Sequence, residues 1–378
     1  MTDDKVIIIG AGVAGLYAAW LLAAAKVPYE IIEARARLGG RVLTVNETNK
    51  LAQDGITEDG FDLGPSWFWP QNQPAIGRLV AQLKLPAFAQ NCEGDVIFER
   101  MSRETFQRYR SGAQDQQSMR LVGGTGALVR ALAQELSPAD ISLNTRVTAM
   151  ELVGDTIELS MTQADGTTQT RQTKHVIAAL PPRLLQHSVL FNPSLDAATA
   201  QLWRDTPTWM APHAKFIAVY NQAFWRADGL SGTAQSMVGP MAEIHDASTA
   251  SGTAALFGFI GVGAEQRAAV GEASLIGACV SQLVRIFGEQ AASPRATLLK
   301  DWATDDLTTT PADRAMSGHP HSINHAWVSG MWAGKLTLAG SETSPQEPGY
   351  LAGAVLAAER AVGEITNTRA AAKAALQN

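Results

Sequence analysis

A lysine interrupts an apolar run, His213-Ala214-Lys215-Phe216-Ile217-Ala218-Val219-Tyr220, whose composition predicts a strand apolar on both faces. Burying an ammonium group is costly, so a lysine in such a strand is paired with an acid, neutralised, or functional. A second group of residues suited to chemistry is Gly10-Ala11-Gly12-Val13-Ala14-Gly15, which follows the β-branched run Val6-Ile7-Ile8-Ile9 and precedes helix formers from Leu16 to Ala25. In that context Gly10 permits a tight turn, Gly12 lets a diphosphate approach the backbone, and Gly15 lets helix and strand pack closely. The anion then sits at a helix N-terminus, where free N–H groups favour it. A second strand, Val27 to Ile32, ends in Glu33, about 20 residues beyond the turn, where a carboxylate accepts hydrogen bonds from a ribose diol.

The residues that follow, Glu33-Ala34-Arg35-Ala36-Arg37-Leu38-Gly39-Gly40-Arg41, add two glycines and three arginines. A loop of this kind folds back over a diphosphate and continues along an extended cofactor, which suits FAD better than NAD. Other chemistries find less support. There is no Gly-x-Ser-x-Gly elbow and no Walker loop. His319, His321 and His325 lie in a Gly- and Pro-containing stretch with no added carboxylate or cysteine, so no metal site is expected.

The elements that must position these residues are legible in outline. The chain has 378 residues, more than the roughly 250 to 300 at which a single core stops growing, so two domains are expected. Its 30 basic and 36 acidic side chains leave a net charge of −6, which offers no global attraction to nucleic acid or anionic lipid. Two cysteines, Cys92 and Cys279, make neither a disulfide framework nor a four-ligand zinc site, and fit a reducing compartment. No stretch reaches the roughly 18 apolar residues of a membrane span. The apolar segment Val13 to Val27 follows an acidic start, unlike a signal peptide, and the expectation is a soluble cytoplasmic α/β protein. Apolar residues at helical spacing predict a helix within Pro70–Leu85, and Leu121-Val122-Gly123-Gly124-Thr125-Gly126 leads into another through Glu135. Strands are expected from Arg146, over Thr156–Met161 with a hairpin turn at Ala164-Asp165-Gly166, and over His175–Leu180 before Pro181-Pro182. Pro348-Gly349-Tyr350 introduces a helix from Leu351 to Glu364, and the Ala-rich residues after Thr366 read as a frayed end.

Residues 6–45 resemble the FAD-binding opening of the flavin amine oxidase superfamily, which includes monoamine oxidases, polyamine oxidases and L-amino acid oxidases. Phe61-Asp62-Leu63-Gly64-Pro65-Ser66-Trp67 resembles the family's segment beside the flavin ring, with Pro65 in place of a usual glycine. Ala339-Gly340-Ser341-Glu342-Thr343 followed by Gly349-Tyr350-Leu351-Ala352-Gly353-Ala354 resembles its second signature. The resemblance implies FAD contacts at Gly10, Gly12, Ala14, Gly15, Glu33, Ala34, Arg35, Gly39, Gly40, Arg41, Gly64, Pro65, Ser66, Val147, Trp302, Gly340, Ser341, Glu342, Thr343, Tyr350 and Leu351. It assigns Lys215 the task of holding a water against flavin N5, as the family's lysine does before an aromatic-Trp pair like Phe224-Trp225. It places Tyr350 in one wall of an aromatic cage for the amine; Trp67 and His245 are further candidate substrate contacts read from the sequence itself. His245-Asp246 is read as a turn after a strand.

The fold implied is an α/β Rossmann-type FAD-binding domain, segments 1–80, 121–206 and 306–365. It is interleaved with a smaller α+β substrate domain of mixed sheet and helices, 81–120 and 207–305, and followed by a tail, 366–378. Two departures from the family stand out. The stretch between Trp67 and Val122 is too short for the helical insertion that roofs the substrate cavity. Thr308-Thr309-Thr310 offers neither the opposite aromatic wall nor a cysteine, so FAD is expected to be noncovalent. The leading expectation is oxidation of a small-molecule amine, with O2 accepting the electrons. Arg103, Arg108 and Arg110 are candidate cations for an amino acid carboxylate. The competing readings are an FAD-dependent dehydrogenase, desaturase or renalase-like oxidase of a non-amine substrate, and a non-catalytic flavoprotein that binds a protein partner.

Overall fold

A computed structural model describes residues 5–51, 60–101, 104–110, 117–315, 318–323 and 326–375. The strand Val6–Ile9 lies at the centre of a five-stranded parallel sheet, ordered Leu336–Leu338, Val176–Ala178, Val6–Ile9, Tyr29–Ile32, Ile141–Ser142. All four residues of the central strand are buried, because helices cover one face of the sheet and a second sheet covers the other. That is why the strand reads as an unbroken β-branched run instead of an alternating one. On one side Val6 and Ile8 pack with Leu16 and Leu22 of helix Val13–Ala24 and with Val355 and Ala358 of helix Leu351–Ala375. On the other, Ile7 and Ile9 pack with Val147, Met150 and Leu159 of a four-stranded sheet and with Trp203, Trp327 and Trp332.

A seven-stranded sheet draws its strands from two distant parts of the chain. Its order is Ala296–Asp301, Ala214–Tyr220, Ala254–Ile260, Met241–Asp246, Leu230–Ser236, Asp95–Glu99, Gln107–Arg110. Neighbours run antiparallel except Leu230–Ser236 beside Asp95–Glu99. Phe216, Ala218 and Tyr220 pack beneath helix Glu272–Phe287, whereas Ile217 and Val219 pack against Phe61 and Leu63. Strand alternation therefore sends Lys215 toward the Phe61–Trp67 segment.

Several boundaries differ from the sequence reading. The second strand starts at Tyr29, because Lys26 adopts φ 56° in the turn that ends the first helix. The helix expected within Pro70–Leu85 is Pro74–Gln82, followed by Lys84 at φ 53°. The segment after Thr366 continues the last helix to Ala375 where a frayed end was expected. Between Trp67 and Val122 the described residues form that one helix and four short strands, 87–89, 95–99, 107–110 and 119–121. Among the described residues no single helix is long and apolar enough to cross a membrane.

Candidate active site

The glycine turn is built as its spacing requires. Gly10 has φ +99°, and a Cβ on Gly15 would lie 1.9 Å from the Gly10 carbonyl oxygen, so helix and strand meet there backbone to backbone. The helix beginning at Val13 has no side-chain cap, which leaves its first N–H groups available to an anion. Glu33 is buried at the end of its strand; one carboxylate oxygen accepts from the Ala11 N–H at 2.7 Å and the other from the Arg35 N–H at 2.8 Å.

The loop after Glu33 folds back onto this turn. Gly39 donates to the Ala11 carbonyl at 2.8 Å, and Arg37 braces the loop through the carbonyls of Leu38, Gly40 and Val42. Arg41 crosses to the distant glycine cluster: it binds both carboxylate oxygens of Glu342, at 2.5 and 3.0 Å, the Ser341 hydroxyl at 3.0 Å and the Trp209 carbonyl at 3.2 Å. Glu342 is fully buried and also accepts from the Trp209 N–H at 3.2 Å. The guanidinium of Arg35 is committed to Asp305, at 2.8 and 2.9 Å, and to the Thr308 hydroxyl.

One cavity of about 960 Å³ joins these parts. Its walls include Gly10, Gly12, Ala14, Glu33, Ala34, Arg35, Gly39, Gly40 and Arg41, then Gly64, Pro65, Ser66, Trp67, Val147, Lys215 and Trp302, and finally Gly340, Ser341, Tyr350 and Leu351. Gly15, Glu342, Thr343 and His245 do not line it. Gly15 serves helix packing, Glu342 is occupied by Arg41, and the Thr343 hydroxyl donates to the Gly340 carbonyl at 2.8 Å. His245 lies within the strand Met241–Asp246, not in a turn. Its Nε2 is 2.6 Å from a Glu243 carboxylate oxygen and its ring packs edge-on behind Trp67, with centroids 4.8 Å apart; the residue of this pair that reaches the cavity is Glu243.

Lys215 is 3% exposed. Its Nζ donates to the Ser66 hydroxyl at 2.6 Å and the Gly64 carbonyl at 3.1 Å, and lies 4.2 Å from the centre of the Phe257 ring. Among the described residues no acid forms an ion pair with it. Burial pushes its pKa down to about 7, opposed by the charge of Asp62 and reinforced by Arg120. A side chain with this environment gives up its proton near neutrality and then presents an amine lone pair.

The aromatic surroundings of Tyr350 were only partly anticipated. Its ring is 6.3 Å from Trp69, 6.3 Å from Trp209 and 5.2 Å from His319, and Trp209 packs edge-on to His319 at 4.4 Å. Trp209 and Trp69 line the cavity and supply aromatic surface near Tyr350 that Thr308–Thr310 cannot. Trp209 lies outside any motif; the one signal in sequence is its place between Pro207 and Pro212 just before the lysine strand. Trp302 donates its indole N–H to the Leu63 carbonyl at 3.0 Å and lies under Lys300. Arg108 binds Asp95 and the Asp228 carbonyl at the surface, Arg110 is exposed, and neither reaches the cavity; Arg103 lies outside the described residues. His325 lies outside them too, and among the described residues no group of His, Cys, Asp or Glu is placed to hold a metal ion.

The glycine cradle, the uncapped helix start and the terminal carboxylate of Glu33 fit a dinucleotide, and the cavity they line continues to Lys215, Trp209 and Tyr350. Comparison with known proteins agrees. A model of the NAD(P)-binding Rossmann-like domain matches residues 8–83, and the model of the flavin containing amine oxidoreductase family matches 88–366. A probable flavin-containing monoamine oxidase A of Dictyostelium discoideum is 27% identical over 258 residues, covering 66% of this chain and 53% of the relative. An L-amino acid dehydrogenase of Synechocystis is 27% identical over 250 residues, 65% of this chain and 50% of that protein. The chain thus spans about half the length of the curated relatives it matches. Among solved structures, the cyclohexylamine oxidase of Brevibacterium oxydans superposes with a TM-score of 0.78 at 19% identity, covering 97% of this chain and 99% of its own. Putrescine oxidase bound to putrescine gives 0.76 at 19% identity, covering 96% and 99%. The family model spans most of the chain, including the lysine strand and the second glycine signature, and the chain belongs to the flavin-containing amine oxidoreductase family.

Proposed function

We propose that this chain oxidises a small-molecule amine against noncovalently bound FAD, with O2 as final electron acceptor. Amine, O2 and water would become aldehyde or ketone, ammonia or a smaller amine, and hydrogen peroxide. The observation that carries this reading is Lys215: a buried lysine with no ion-paired acid among the described residues, its pKa pushed down to about 7 by burial, on the wall of the cavity that the glycine turn also lines.

Bound FAD supplies the two-electron acceptor. The protein's part is positioning, water exclusion and proton handling. The Gly10–Gly15 turn and Glu33 hold the dinucleotide end. Gly64, Pro65 and Ser66 lie beside Lys215 and place its Nζ at the cavity wall, where it holds a proton or a water at a fixed point. Trp67, Trp69, Trp209 and Tyr350 present aromatic surface to the substrate, and an amine enters such a site as the neutral base or against the π faces as a cation. The N-terminus of the helix starting at Leu351 favours negative charge at the adjacent cavity wall. No cysteine lines the cavity, which supports noncovalent attachment; acid precipitation should release all flavin into the supernatant.

Anaerobic addition of monoamines, diamines and amino acids to the flavin-loaded protein, read as loss of flavin absorbance, tests the assignment. Bleaching by an amine is expected, and bleaching by non-amine substrates alone defeats it.

A further inference from the structure

Glu243 is an acid on the wall of the large cavity that the chemistry above does not use. Its orientation depends on a local irregularity in the strand Met241–Asp246. Regular alternation would send residue 243 to the same face as Met241, into the core beneath helix Glu272–Phe287. Instead Met241 pairs with Ile260 and Glu243 with the adjacent Phe259, so Ala242 is an extra residue, a β-bulge. Beyond it Ile244 rejoins Met241 in the core, and Glu243 faces the cavity. Bulges beside active sites re-aim side chains, and the side chain re-aimed here is an acid.

The bulge also brings Glu243 into line with Lys215. Phe259 pairs with Glu243 on one side and with Lys215 on the other, so the three side chains stand in a row on one face of the sheet. With neighbouring strands about 4.8 Å apart, the backbones of acid and lysine are separated by about 10 Å. What lies between them is apolar. The Phe259 ring centre is 5.6 Å from Lys215 Nζ and 6.3 Å from the ring centre of Trp67, and both rings line the cavity.

The charge of Glu243 is available to a ligand. One carboxylate oxygen is 2.6 Å from His245 Nε2, and that hydrogen bond holds its pKa below the ordinary glutamate value, so it is ionised at neutral pH. Among the described residues it pairs with no lysine or arginine and its second oxygen accepts no hydrogen bond. The arginines of the same wall are differently placed: Arg35 binds Asp305, Arg41 binds Glu342 and Arg267 binds Asp301. A half-exposed carboxylate facing a cavity attracts cations and repels anions.

We propose that Glu243 binds the far end of the substrate, and that the amine oxidised carries a second cationic group separated from the reacting nitrogen by an apolar chain, as in an α,ω-diamine. The reacting end lies near Lys215, the chain runs over Phe259 and Trp67, and the second ammonium meets Glu243. This rests on the reading of Lys215 as the group at the reacting centre. A carboxylate in place of the second ammonium meets like charge, and a plain alkyl end leaves Glu243 without a partner cation.

The test is calorimetric binding of hexamethylenediamine, hexylamine and aminocaproate to the flavin-loaded protein, kept anaerobic with its flavin reduced by dithionite so that no turnover intervenes. The diamine should bind at least about tenfold more tightly than hexylamine, because it gains a hydrogen bond to a charged group, and aminocaproate should bind most weakly. Glu243→Gln should bring the diamine to the level of hexylamine and leave hexylamine unchanged; Glu243→Ala serves if that variant does not fold. Glu243→Lys should place aminocaproate ahead of the diamine, a reversal that a merely structural role would not produce. Equal binding of diamine and hexylamine by the wild type, or a diamine preference that persists in folded Glu243→Gln, overturns the proposal. Binding is read apart from turnover. A preference that depends on Glu243, in a protein whose oxidised flavin no amine bleaches, refutes amine oxidation and leaves the cation site intact, whereas bleaching by amines without the preference does the opposite.

Discussion

Replacing Lys215 by methionine should make the protein more stable relative to the wild type at low pH than at high pH, by an amount the burial of the lysine sets. The unfolded chain keeps a proton on this side chain up to about 10.5, whereas the folded chain releases it near 7. Between those values unfolding takes up a proton, so raising the pH favours the folded wild type. Below about pH 7 the wild type therefore carries the whole penalty of burying an ammonium, roughly 5 kcal/mol for a displacement of this size, and the penalty fades toward pH 10.5 at about 1.4 kcal/mol per pH unit. Methionine fills similar space and has no such penalty. It leaves the Gly64 carbonyl and Ser66 without their donor, at a cost of roughly 1 to 3 kcal/mol, but that cost is independent of pH and moves the difference curve without changing its slope. The assay is urea unfolding of both proteins at a series of pH values in the same excess of FAD, plotted as the difference in unfolding free energy. A difference curve flat from pH 7 to 10, or rising with pH, would show that Lys215 stays charged in the folded protein and would refute the reasoning.

Other expectations concern the cofactor end and the rate. Gly15→Ala places a methyl group 1.9 Å from the Gly10 carbonyl oxygen, so it should yield protein that purifies without flavin or fails to fold. Gly12→Ala meets nothing closer than the Gly39 carbonyl at 3.9 Å, so it should fold normally and lose FAD affinity because the methyl enters the cavity; equal effects on melting temperature for the two variants would contradict this. Glu342→Gln leaves Arg41 without its buried counter-charge and should cost on the order of 3 kcal/mol, seen as a lowered thermal midpoint even with FAD in excess. For amine-driven flavin reduction, the rate should climb through a transition near pH 7 as Lys215 becomes neutral, and Lys215→Met should abolish that transition while retaining flavin.

The parts of the site written in one stretch of sequence were the parts that could be read there. The turn Gly10–Gly15 and Glu33 are local, and their spacing alone determines where the helix starts and where the carboxylate falls. Lys215 was visible because a charge breaks an apolar run. Partners joined only by the tertiary fold left no such trace: Trp209 and His319 beside Tyr350, Asp305 on Arg35, and Thr44 with Thr125 on Asp62. His245 shows a subtler limit. Alternation places Glu243 and His245 on one face of their strand, but which of them overlies the cavity depends on how far the strand slides past its neighbours, and pairing of Glu243 with Phe259 places the acid there. The strand Gln107–Arg110, fully exposed and polar, has no alternation to announce it at all.

The bond between Arg41 and Glu342 has a bearing on how the protein matures. The cradle for the dinucleotide begins with the first strand, yet that strand is flanked by Val176–Ala178, which in turn pairs with Leu336–Leu338, and the Arg41 side chain at the end of the folded-back loop gains its buried counter-charge only when Glu342 arrives. During synthesis the glycine turn therefore emerges long before the residues that complete it, and its contacts are among the most distant in the chain. Acquisition of flavin becomes a late event that reports closure of the whole fold, so the yellow colour of a preparation measures how many chains have finished folding as well as how many have met their cofactor.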